Sequence, residues 1–181
     1  MIKKGYKCFN KDKTNRYGIP FEEGKDYHVD GEIRFGNKGN GFHMCVHLSD
    51  VFRYFDTRDD NFVVAEVTCS GEYDLREYPD DFEGYYEMYA FSDMHIDRFI
   101  SREEIIEKML VAPINDVKKF LRTFVLGDKE ALLFLRKYCE SMEIISIILY
   151  YHYGEKEIYY LSVDEREDKL KKVKKYGQDN S

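Results

Sequence analysis

Apolar residues follow two different rules along this chain, and the rule changes at Ser101. Before it they alternate with polar residues or run together in short β-branched stretches broken by glycine and asparagine, which is strand behaviour. After it they recur three and four residues apart, which is helix behaviour. The fold class this predicts is α+β. A strand-rich, mixed or antiparallel sheet with one short helix is followed by a small C-terminal helical bundle packed on it, with domains at 1–100 and 101–181.

Residues 3–9 suit a first strand, and Ile19–Phe21, Tyr27–Val29 and Glu32–Phe35 read as short strands divided by Gly24-Lys25-Asp26 and Asp30-Gly31. The glycine-rich stretch 36–41 is a loop. Phe42–Leu48 resumes as a strand, and Ser49-Asp50 is placed to cap a short helix running to about Phe55. Phe62–Cys69 is β-branched and nearly continuous, the pattern of a strand in mid-sheet. Strands are also expected at Glu72–Tyr78 and Met88–Phe99, around an acidic loop at Pro79–Gly84. Ser101 with Glu104 forms a capping box for a helix to about Leu110. Further helices are expected from Asn115 to Phe124, from Gly127-Asp128 to Cys139 and over Ile144–Tyr153. A charged, helix-competent stretch follows at Val163–Tyr176, its apolar side only Val163, Leu170 and Val173.

No stretch approaches the roughly 20 apolar residues of a membrane span. Met1–Tyr6 carries no apolar run behind its lysines, and the four cysteines include no Cys-x-x-Cys pair. A cytoplasmic protein with free thiols is therefore expected. The net charge of −7 is unevenly spread. Between Asp56 and Asp97 thirteen acidic side chains stand against two arginines, so that stretch carries −11 and the remainder of the chain +4. A continuous basic face for nucleic acid is absent. The one basic cluster, Lys169–Lys175, carries no recognition motif, so direct nucleic-acid binding is not expected.

One segment alternates completely. In Gly41–Leu48, Phe42, Met44, Val46 and Leu48 fall on one side of an extended strand, and His43, Cys45 and His47 on the other. Two imidazoles and a thiol are ligand types for a transition metal such as zinc. Three ligands on one strand rarely converge, and no second cluster supplies a fourth. No metal is expected, and a site on His43, Cys45 and His47 is kept as the alternative.

Tyr6-Lys7-Cys8-Phe9, Phe21–Tyr27, Gly41-Phe42-His43-Met44-Cys45, Asp50-Val51-Phe52-Arg53-Tyr54 and Ala65-Glu66-Val67 follow one another in order. This series resembles a domain of unknown function common in phage and prophage proteins, over about residues 5–105, with Gly-Phe-His-x-Cys as its most specific block. The order of elements also loosely resembles the ADP-ribosyltransferase-like fold. That resemblance implies an NAD-using enzyme with His43 at the nicotinamide end and Glu66, or Glu87, as the carboxylate orienting a ribose hydroxyl. The first strand offers Lys7 where such enzymes carry Arg or His.

The leading functional expectation is an acidic protein-binding module that meets a protein partner through the surface of residues 56–97. The alternatives are the NAD-using enzyme, with His43 and Glu66 catalytic, and a self-associating structural or regulatory protein whose Ile144–Tyr153 segment joins two copies. No cofactor is expected outside the enzyme reading. Tyr6, Lys7, Cys45 and His47 complete the candidate binding residues around His43.

Overall fold

The β-branched run beginning at Phe62 does not stop at Cys69 but continues, through an irregularity, into the next stretch. The computed structural model, which describes residues 1–35, 39–58, 60–80 and 84–154, makes β4 one strand of 19 residues, Phe62–Asp80. The irregularity is a bulge between Ser70 and Tyr73. Gly71 sits in it at φ +84°, where a β-carbon would lie 2.1 Å from both the Asp93 Oδ2 and the Ser92 Oγ atoms. β4 pairs with β5, Gly84–Ile100, so Pro79, Asp80 and Gly84 of the expected acidic loop are strand, and 81–83 lie outside the described residues.

Before this ribbon come β1 (Lys3–Asn10), β2 (Asp26–His28), β3 (Phe42–Cys45) and the one-turn helix α1 (Leu48–Val51) with a 3-10 turn at Phe52–Tyr54. All pairings are antiparallel. β1 lies between β3 and β4, and β5 also pairs with both β3 and β4, so these four strands close on themselves. Closure removes sheet edges from this part of the structure. β2 adds to β5 beyond β3, where Asp26 stands opposite His95 and His28 opposite Asp93 as reciprocal hydrogen-bonded pairs of 2.8 and 2.7 Å.

Phe9, Val67, Cys69, Phe91, Met94 and Ile96 fill the inside of the closed sheet and are almost wholly buried. Phe21 enters from the loop before β2 and packs 4.9 Å from the Phe9 ring and 4.6 Å from Tyr27. β1 passes so close to β3 that a β-carbon at Gly5 would stand 2.1 Å from Met44 Cε and 2.3 Å from the Cys45 carbonyl oxygen. The methionine end can shift, but the carbonyl is part of the sheet. Gly5→Ala is therefore expected to cost about 1–3 kcal/mol, read as a lower urea midpoint at unchanged slope.

Two distinct units are present, Met1–Thr123 and Phe124–Ser181. The first includes α2 (Arg102–Leu110) and α3 (Ile114–Thr123). Ser101 caps α2 as its sequence indicates, its hydroxyl accepting from the Glu104 amide at 3.1 Å. Phe62, on the outer face of β4, meets Phe52 at 6.0 Å, and Phe52 meets Phe120 of α3 at 5.5 Å. The second unit contains α4 (Asp128–Lys137) and α5 (Met142–Tyr153), which pack on each other. Ile144, Ile145, Ile147, Ile148 and Leu149 of α5 are buried. No helix among the described residues is long and apolar enough to cross a membrane. The helical stretch expected at Val163–Tyr176 lies outside the described residues.

Three expected strands differ from the structure. Ile19–Phe21 contributes only an isolated bridge from Pro20 to Thr14, and Glu32–Phe35 only one from Arg34 to Asn40. Ile33 and Phe35 instead bury themselves against Met88 and Ala90 on the outer face of β5. Side chains satisfy the Phe35 backbone: Asp74 Oδ2 accepts from its amide at 3.0 Å, and Arg76 donates to its carbonyl at 3.2 Å. The strand expected over Phe42–Leu48 ends at Cys45. His47 is the N-cap residue of α1, and Ser49 and Asp50 lie inside that helix.

Candidate functional site

The early end of β3 separates the residues that the alternation had grouped. His43 and Cys45 project from the outer face of β3, opposite Ala90 and Met88. The imidazole of His43 stacks on Phe35 at 4.7 Å, and its Nε2 is buried with no hydrogen-bond partner. Burial, aided by the positive charges of Lys7, Arg16 and Arg76, pushes the pKa of His43 down to about 4. Its ring is therefore held in the neutral form at neutral pH.

Cys45 is buried, and burial with the nearby Asp50 charge pushes its thiol up to about 12. Cys8 and Cys69 are likewise raised by burial to about 12, so none of these thiols is primed as a nucleophile. All four cysteines are free. His47 has left the strand and pairs with Asp116 of α3 at 3.4 Å. Among the described residues no group of three His, Cys, Asp or Glu side chains is placed to hold a metal ion.

Tyr6 stands opposite Cys45 on one side and Glu66 on the other, so these three form one row across the outer face. Lys7 occupies the next position, on the inner face with Phe9. Its Nζ donates to the His43 carbonyl at 2.7 Å and lies 5.7 Å from the Phe9 ring centre. Burial lowers its pKa against the pull of the neighbouring thiols Cys69, Cys45 and Cys8. Glu66 accepts from Arg98 Nε at 2.8 Å and lies 2.9 Å from Lys108 Nζ of α2. Burial raises its pKa, but the hydrogen bonds from Lys108 and Arg98 outweigh that and hold it below the usual carboxylate range. Arg98 in turn grips Glu104. Both oxygens of the carboxylate assigned to a ribose in the enzyme reading are thus occupied in tying α2 to the sheet.

A polar cluster that sequence reasoning missed lies between α1 and α3. Asp50 is 0% exposed, and neither of its oxygens has a hydrogen-bond partner. Arg53 Nε and Lys119 Nζ each approach its Oδ1 at 3.6 Å, and Ser49 donates to Asp116 at 3.3 Å. Burial pushes the Asp50 carboxyl up, and Lys119 and Arg53 pull it down by less. The available signal was Lys119 itself, a cation flanked by the apolar Val117, Phe120 and Leu121 of α3.

The remaining surface of chemical interest is the β4–β5 ribbon beyond β3. Its register continues past Met88 with Glu77 opposite Glu87, Tyr78 opposite Tyr86 and Asp80 opposite Gly84. From Glu77 to Glu87 there are five acidic residues and no lysine or arginine. Nearer the closed sheet, Tyr73, Tyr89 and Phe91 form a ring cluster with centroids 5.7–6.4 Å apart.

A closed antiparallel sheet with a projecting acidic ribbon and two packed helices defines the class of the first unit: a small α+β domain. The family model described as domain of unknown function (DUF7666) matches residues 3–108, and the chain belongs to that family. No curated protein and no solved structure matches the chain.

Proposed function

We propose that the first unit is a protein-binding module that presents the acidic, tyrosine-bearing end of the β4–β5 ribbon to a basic surface on a partner protein. The observation that carries this reading is the register itself, which sets Glu77 directly opposite Glu87. Like charges facing each other across a strand pair oppose the ribbon's own stability. A cationic partner relieves that repulsion, and the excess of negative charge steers it in from solution. The resemblance to a phage-associated domain supports a setting in which a small protein engages basic proteins of a host.

The test is fluorescence anisotropy with a labelled Lys/Arg-rich peptide, comparing wild type, Glu77→Gln/Glu87→Gln, and a control, Glu107→Gln/Glu140→Gln, that removes two exposed charges elsewhere. The ribbon variant is expected to bind at least tenfold more weakly than the control, with the difference fading as salt rises from 50 to 300 mM. Equal affinity of the two variants would overturn the reading.

A further inference from the structure

We infer that the partner segment docks as an added β-strand on the open edge of β4 beyond Cys69, and that it is an extended peptide alternating basic and apolar residues. The inference rests on the protein-binding reading above and specifies the shape of what binds.

β1 protects the edge of β4 only as far as the pair Lys3–Cys69. β4 continues to Asp80 with β5 on its other side, and among the described residues no strand pairs with the edge that β1 has left. A row of unpaired backbone donors and acceptors is a template for another strand. The side chains along it are apolar where a strand would need a floor. Tyr73 is 48% exposed and Leu75 37%, two residues apart and therefore on one face. Across the strand pair, on the same face, Tyr73 meets Phe91 at 5.7 Å and Tyr89 at 6.4 Å, so its ring is held from the β5 side.

Charge selects the occupant. Glu72 is exposed beside Tyr73, and Glu77, Asp80 and Glu87 follow along the ribbon. The nearby cations are engaged. Lys3 lies over the Tyr89 ring at 4.6 Å, and Arg76 lies over Phe35 at 5.1 Å while donating to its carbonyl. A second copy of this chain would bring two sets of the same carboxylates together, whereas a peptide with apolar side chains towards Tyr73 and Leu75 and Lys or Arg towards Glu72 meets negative charge with positive.

The full chain is titrated against a labelled ten-residue peptide alternating Lys or Arg with Val, and against the same peptide N-methylated on its four central backbone nitrogens. N-methylation is expected to weaken binding at least tenfold, because every second one of those nitrogens would otherwise donate to β4. Leu75→Lys is expected to weaken the parent peptide by a similar factor. If both peptides bind wild type equally while Glu77→Gln/Glu87→Gln still weakens them, the edge inference fails and the acidic-surface reading stands. If that variant leaves the parent peptide's affinity unchanged, the acidic-surface reading fails as well. A wild-type dimer in sedimentation that Leu75→Lys dissolves would assign the edge to a second copy and overturn the peptide inference.

Discussion

Asp50→Ala is expected to lower the free energy of unfolding by about 3–5 kcal/mol, the usual cost of removing one partner from a buried ion pair. The carboxylate is sealed from solvent and Lys119 is only 8% exposed, so the substitution removes one charge of a pair held away from water. The loss comes from unbalancing buried charge, not from the intrinsic strength of contacts that are 3.6 Å long. Asp50→Leu/Lys119→Met, which removes both charges and keeps apolar volume, is therefore expected to recover most of it. Urea unfolding of the two single variants and the double variant supplies the cycle. Strictly additive losses would show that Asp50 and Lys119 do not act as a pair.

Acid is expected to destabilise the protein through His43. Its folded pKa of about 4 lies below the ordinary value of 6.5, so the folded state binds fewer protons than the unfolded state between those limits. The contribution is complete above about pH 6.5, drains as pH falls towards 4 and is absent below that. The shift corresponds to roughly 2–3 kcal/mol after a discount for partial solvent screening. His28 acts in the opposite sense, since its hydrogen bond to Asp93 raises its pKa, but it lies on the surface. His43→Phe keeps a ring against Phe35 and removes the titration. Urea midpoints at pH 7, 5.5 and 4 should fall more steeply for wild type than for this variant. Parallel slopes would contradict the burial of the imidazole.

Local chemistry marked some of these features in the sequence and was silent on others. The change of apolar spacing at Ser101 is a property of neighbouring residues, and it correctly separates strands from helices. The run Phe62–Cys69 was recognisable as mid-sheet because it is β-branched and nearly continuous, and β4 is flanked by β1 and β5 there. The alternation of Gly41–Leu48 misled at its far end. Side-chain order does not specify where the backbone turns, and His47 begins a helix while its neighbours still read as strand. The closure of the sheet depends on register between distant strands, which no local pattern records. Asp50 and Lys119 meet only because α3 packs on α1, and although Lys119 stands out among apolar neighbours, nothing local to it names Asp50 as its partner.

The closed sheet also bears on how the chain is made. β3 and β4 cannot acquire both their neighbours until β5, the last strand in order, has left the ribosome. Until about residue 100 has emerged, the nascent N-terminal segment has hydrogen-bonding edges and large rings with nothing to cover them. Shortened chains ending before Gly84 should consequently be prone to clumping during synthesis.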